Sequence, residues 1–146
     1  MPKPTPSFAT AIHESGHALM AIAFRWPVER VSIRTTAKHA GICEFKMRPG
    51  APATEIVSVY LAGLIAERFV VPDASVETAD TDMRQVLPHL PALNVGLEDL
   101  VRKIRYQLAS RWPEVDRLAE ALDRCGELDG GEVLRAIRTP IAWIQV

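Results

Sequence analysis

The 146-residue chain has little cysteine, only Cys43 and Cys125. One disulfide is the most it can form, which excludes a small secreted scaffold held together by cystines. It also lacks long apolar runs. The longest, Ala18 to Phe24 and Ile56 to Ala66, fall well short of the roughly 20 residues that span a bilayer. Met1-Pro2-Lys3-Pro4-Thr5-Pro6 is rich in proline where a signal peptide would be apolar. Nor is there an excess of one charge. Seventeen basic and 18 acidic side chains leave a net charge of −1, whereas a dedicated nucleic-acid binder is normally basic. These absences lead us to expect a cytoplasmic protein with no nucleic-acid partner and no membrane span.

What is present suits a folded domain. The hydrophobic fraction is 48% and the charged fraction 24%, and this length provides one domain with a real core. The reading is a flexible arm over 1–6 and a single domain over 7–146. Thr5 is an N-cap candidate, with Pro6 at the first helical position. Phe8, Ile12, Leu19 and Ile22 have helical spacing, and Arg25-Trp26-Pro27 ends the helix. Between Ser15 and Phe24 the only ionisable residue is His17, so this helix is expected to be buried all round. Val31, Ile33 and Thr35 then alternate with polar residues, as do Cys43, Phe45 and Met47 with theirs, which predicts a two-stranded hairpin.

A second apolar helix is expected from Ala53 to Val71, closed by Pro72. A short helix follows over Ala79 to Leu87, capped by Thr78 and broken by Pro88 and Pro91. Leu97, Leu100, Val101, Ile104 and Leu108 mark a third long helix. Pro113 opens another that Gly126 stops, and Asp129-Gly130-Gly131-Glu132 resembles a capping box for a last helix through Ile137. The expected class is α+β and mostly helical, with a small sheet beside the first helix.

That first helix carries His13-Glu14-Ser15-Gly16-His17, an HExxH pattern. Residues four apart share one helix face with Cβ atoms about 5–6 Å apart, so the imidazoles can chelate one zinc ion. Glu14 can reach a zinc-bound water without being a ligand. Zinc lowers the pKa of that water to about 7, and the glutamate can take its proton as a carbonyl is attacked. A coincidental pattern would leave two imidazoles and a carboxylate buried without partners, which is costly. A catalytic zinc needs a third protein ligand, with water in the fourth position. Downstream candidates are His39, Glu67, Asp73, Asp80, Asp82 and His89. His39 in the hairpin turn and His89 between prolines read as exposed. Spacing does not choose between Glu67 and Asp82.

Several blocks, in order, resemble the peptidase domain of the FtsH family, the membrane-bound AAA+ zinc proteases. Ala11-Ile12-His13-Glu14-Ser15-Gly16-His17-Ala18-Leu19 is similar to that family's HEAGHAL helix. Val31-Ser32-Ile33 with Gly41-Ile42 resembles its strand pair beside the active site. Leu61-Ala62-Gly63-Leu64-Ile65-Ala66-Glu67 is similar to LGGRAAE, and Thr78-Ala79-Asp80-Thr81-Asp82-Met83 to TGAxNDL. Glu127-Leu128-Asp129-Gly130-Gly131-Glu132-Val133 is similar to ETLDGEEV.

The resemblance implies a zincin-like metallopeptidase domain in which Asp82 is the third ligand and Glu67 supports a ligand imidazole from behind. It also implies that Gly41, Ile42 and Cys43 on an edge strand bind substrate by main-chain pairing. Leu64 and Thr81 depart from the pattern. No G-x-x-x-x-G-K-[ST] occurs, so these residues do not themselves couple ATP to unfolding, and a separate ATPase partner or a homo-oligomer enters as an expectation.

The expected function is a zinc-dependent endopeptidase acting on unfolded or flexible polypeptides, one zinc per chain, with Glu14 as general base. The alternative is a peptidase-like module that binds peptides with little or no turnover. Cys43 reads as a small apolar residue, Arg102-Lys103-Ile104-Arg105 as a solvated helix face, and Trp26, Trp112 and Trp143 as packing residues.

Overall fold

Thr5 Oγ1 accepts a hydrogen bond from Phe8 N at 3.2 Å, and Pro6 opens helix α1 (Pro6–Ala23). The helix therefore takes in the end of the expected arm. In the computed structural model, residues 4–76, 80–138 and 142–143 are described. Residues 11–21 of α1 are all buried. The helix closes with Arg25 N on Ile22 O at 2.9 Å and Trp26 N on Ala21 O at 2.8 Å. This paired closure places Arg25 at φ 65°, the left-handed turn that commonly ends helices. It delivers the chain straight into the sheet.

Strand β1 (Val28–Ser32) pairs antiparallel with β2 (Ile42–Phe45), with Val31 opposite Cys43. The first strand begins earlier than its alternation suggests and stops before Thr35. Thr36 N bonds His39 O at 2.8 Å, so the turn has already begun, and Ile33 N bonds Gly126 O at 2.9 Å. Nor is the sheet a simple hairpin. Strand β3 (Glu127–Asp129) pairs antiparallel with the other side of β1, giving the order β2-β1-β3. Three residues carry too little alternation to announce a strand. Arg30 on β1 ties the sheet together, with bonds of 2.6 Å to Glu44 on β2 and 2.7 Å to Glu127 on β3.

Helix α2 (Ala53–Val70) lies along α1. It is followed by α3 (Asp80–Val86), a 3-10 turn over Leu87–Ala92, α4 (Leu97–Ser110), α5 (Trp112–Cys125) and α6 (Gly130–Ile137). Helix α3 ends just before the prolines, as expected, and Pro88 and Pro91 sit within that 3-10 turn. Thr78, expected to cap α3, lies outside the described residues. The capping box is present: Asp129 Oδ1 accepts from Glu132 N at 2.8 Å and Glu132 Oε1 from Asp129 N at 3.0 Å. The molecule is α+β and mostly helical.

Helix α1 is its axis, touching α2, α5, β1 and β2. Ile12, Leu19, Met20, Trp26, Val31, Val57, Ile104, Leu118 and Leu122 form one continuous core around it. Trp143 stacks on Phe24 with ring centroids 4.8 Å apart, so this part of the tail docks on the end of α1. No helix among the described residues is long and apolar enough to cross a membrane.

One buried hydroxyl on α1 lacks a partner. Ser15 is 0% exposed and its Oγ makes no hydrogen bond, so it bears a desolvation cost with nothing in return. Ser15→Ala should raise the unfolding free energy by about 1 kcal/mol, measured by urea denaturation. A loss of stability would show that the hydroxyl is bonded after all.

Candidate metal centre

His13 and His17 point from one face of α1 with ring centroids 4.8 Å apart. Their outer nitrogens converge on one oxygen: each Nε2 lies 3.0 Å from Asp82 Oδ2, in the first turn of α3. Their inner nitrogens are held by α2. His13 Nδ1 is 2.8 Å from Glu67 Oε1, and His17 Nδ1 donates to Val59 O at 2.8 Å. Both rings are buried, with His13 7% and His17 3% exposed. Three elements thus contribute in distinct ways: α1 the imidazoles, α3 the acid and α2 the contacts that fix the rings.

The rings reach α2 because Gly63 has no side chain. A Cβ there would lie 2.6 Å from His17 Cε1 and 2.7 Å from His13 Cδ2, and would run into His17 Nε2. Gly16 on α1 is matched in the same way: a Cβ would meet Ala62 O at 2.5 Å and Ala66 Cβ at 2.7 Å. The site's precision rests on two helices packed backbone to backbone.

The donor set fits a metal. A tetrahedral ion about 2.0–2.1 Å from each donor separates those donors by about 3.3 Å. The observed 3.0 Å Nε2–Oδ2 separations need little expansion. The bonds to Glu67 and Val59 O leave both Nε2 atoms facing the same point, the arrangement that orients imidazole ligands. Buried His13 and His17 with half-buried Asp82 therefore form a group able to hold a metal ion.

Without a bound cation, each ring meets an acceptor on both sides. Burial alone would lower the pKa of His13. Hydrogen bonds to Asp82 and Glu67 and the charges of Glu14 and Asp82 together outweigh it, and the value rises to about 10. His17 also rises: burial opposes the proton, but the charge and hydrogen bond of Asp82 prevail. Burial pushes Asp82 up, yet the charge of His17 and the two ring hydrogen bonds hold it below the usual carboxylate range. Glu14, 7% exposed, is raised chiefly by burial, with His17 and His13 opposing.

The other candidates separate. Glu67 stands behind His13 and is not among the converging ligand atoms. Asp80 is exposed and pairs with Arg84 at 2.7 Å, and Asp73 is exposed. His89 lies half-buried in the 3-10 turn. His39, read as exposed, is half-buried, because its turn folds back toward α1. Gly41, Ile42 and Cys43 lie at the head of the edge strand β2, with Gly41 against Glu14. Burial, then Glu14 and Asp82, push the Cys43 thiol well above its ordinary value.

Two contributors escaped the sequence reading. The Val59 carbonyl has no sequence signature. Gly63 did carry a signal, since glycine in a helix interior costs about 1 kcal/mol and wants a packing reason. No protein-family model matches the chain, and no curated protein matches it at a significant level.

Gly63→Ala should preserve helical content by circular dichroism yet weaken cobalt(II) binding at least about 10-fold, because its methyl group displaces both rings. Unchanged affinity would show that the rings do not need that space. A second expectation concerns protons. The raised pKa of His13 means that its proton stabilises the cation-free fold fully below about 6.5, and that this contribution fades as pH climbs toward about 10. Metal must displace the proton, so affinity should rise across that window, with at least one proton released per ion at neutral pH. Calorimetry in buffers of different ionisation enthalpy measures the release, and none at all would mean neutral imidazoles.

Proposed function

We propose that this chain is a zinc-dependent endopeptidase with a zincin-like domain, as its resemblance to the FtsH peptidase domain implies. The observation that carries the reading is the convergence of His13, His17 and Asp82 on one point, with Glu14 on the adjoining residue of the same helix. Two imidazoles and one carboxylate leave a fourth position free, the composition of catalytic zinc sites. Zinc, when bound, supplies a Lewis acid that brings the pKa of water to about 7 and polarises a carbonyl.

The chain's own residues do the rest. Val59 O and Glu67 hold the imidazoles in the orientation that faces their outer nitrogens to the metal. Glu14 accepts a proton from the water that attacks the scissile carbonyl and returns it to the leaving amine. The substrate is an unfolded or flexible polypeptide. It lies along β2, whose outer side is paired with no strand among the described residues, and Gly41, Ile42 and Cys43 supply main-chain contacts.

The test turns on Glu14. Glu14→Gln keeps the size of the side chain and all three metal ligands, and removes only proton acceptance. Zinc content and peptide affinity should be unchanged, while hydrolysis of an unfolded casein-like substrate falls about 10²–10⁴-fold. A variant that cleaves as fast as wild type would remove Glu14 from the chemistry. Wild type that binds peptides and never cleaves them would be a binding module.

A further inference from the structure

The proposed chemistry leaves one polar side chain beside the metal centre unused. Tyr60 follows Val59, whose carbonyl holds His17 Nδ1 at 2.8 Å, and stands three residues before Gly63, over which both imidazoles lie. Residues three apart on a helix share a face, with Cβ atoms about 5–6 Å apart, so Tyr60 leaves α2 on the face that carries the rings. Its own ring is half-buried. Its hydroxyl stays open to solvent and has no hydrogen-bond partner among the described residues.

Packing accounts for the ring and not for the hydroxyl. Tyr60 meets Phe45, the last residue of β2, edge to face with ring centroids 5.5 Å apart, and Phe45 in turn lies 5.6 Å from Trp26. Phenylalanine at position 60 would make the same contact. A tyrosine hydroxyl in a partly buried place normally bonds something.

The ring contact also fixes what lies beyond the free edge of the sheet. Helices α5 and α6 pack at β3, and β2 is the opposite edge. On that side the Tyr60–Phe45 pair brings α2 up to the strand. A polypeptide paired with β2 takes its place about 4.7–4.9 Å further out, between the strand and α2. One of its edges bonds β2. Its other edge presents carbonyl and N–H groups to α2, and these need partners as they lose water. The Tyr60 hydroxyl can supply one. Burial raises its pKa, and the charges of Asp82 and Cys43 raise it further, so it keeps its proton at neutral pH and acts as a donor.

We propose that Tyr60 is a substrate-contacting residue whose hydroxyl donates a hydrogen bond to a main-chain carbonyl on the outer edge of a polypeptide paired with β2. The proposal rests on the peptidase reading above. It makes α2 the second wall of the substrate site, so that the extended chain is held along both of its edges. A main-chain contact of this kind is independent of substrate sequence. It is the same before and during reaction, so it serves binding more than turnover.

Tyr60→Phe removes the hydroxyl and keeps the ring on Phe45. The zinc-loaded full chain, wild type and Tyr60→Phe, is compared in hydrolysis of an unfolded casein-like substrate. Binding without turnover is read by titrating a labelled unfolded peptide into Glu14→Gln and into Glu14→Gln/Tyr60→Phe. KM should rise and peptide affinity should fall about 10-fold, the scale of one hydrogen bond to a group left without water, with kcat within about twofold of wild type. Zinc content and the urea midpoint should not move, since the hydroxyl bonds nothing among the described residues. If wild type cleaves and Tyr60→Phe matches it in KM and in peptide affinity, the inference is overturned and the peptidase reading stands. A fall in kcat with KM unchanged also overturns it, because the hydroxyl would then serve the reacting group. Loss of zinc or of stability makes Tyr60 structural and overturns it too. If wild type never cleaves and Glu14→Gln binds no peptide, both readings fail together.

Discussion

The close approach of α1 and α2 is the constraint on which the rest of the site depends. Where the helices meet, Gly16 lies against Ala62 and Ala66, and Gly63 lies under the two imidazoles. Glycine in a helix interior costs roughly 0.5–1 kcal/mol relative to alanine, so both positions work against local helix stability. They are compatible with the fold because the contacts they permit lie in the core, where Ala62 and Ala66 are both 0% exposed. Side chains at either position would push the helices apart. The Val59 carbonyl and Glu67 would then no longer reach the inner nitrogens, and the rings would lose their orientation. The geometry of the centre is thus set by main-chain packing before any ligand chemistry enters.

Electrostatics follows from that packing. Glu14, Glu67 and Asp82 place three carboxylates around two imidazoles in a largely buried space. Such a surplus of negative charge demands cations. Two imidazolium protons satisfy it, and so does one divalent ion with neutral rings, because both carry the same charge. The exchange leaves the net charge of the site unaltered. Donor geometry and pH, and not the overall field, therefore govern which cation the site holds. The same enclosure that makes the charges expensive lifts Glu14 above its ordinary value.

The sheet is arranged around the same helix. β1 is central, and β3, from the far end of the chain, covers one of its sides. That leaves β2 as the outer strand next to Glu14, with Gly41 pressed on the glutamate's stem. A short edge strand of this kind is where the proposed polypeptide would pair. Arg30, bonded to Glu44 and Glu127 on its two neighbours, keeps the three strands in register. Both β1 and β2 also pack against α1, so the sheet and the helix that carries the two histidines are held together.

The order of helices, the two histidines of the candidate centre and the final capping box were legible in the sequence because each depends on short-range rules. Four-residue spacing puts His13 and His17 on one face, and Asp129 and Glu132 satisfy each other within a single turn. The third candidate ligand was not decided by spacing. Glu67 and Asp82 both suit it, and only the crossing of α2 and the placement of α3 send Glu67 to the inner nitrogen of His13 and Asp82 to the outer nitrogens of both rings. The strand Glu127–Asp129 was invisible because three residues have no readable period, and its existence depends on a partner almost 100 residues away in β1. His39 read as exposed because a turn between strands normally faces solvent; its half-burial arises from the fold of that turn onto α1. Local periodicity and capping fixed which residues could form the site. Long-range packing, to which no local pattern responds, decided which of them meet.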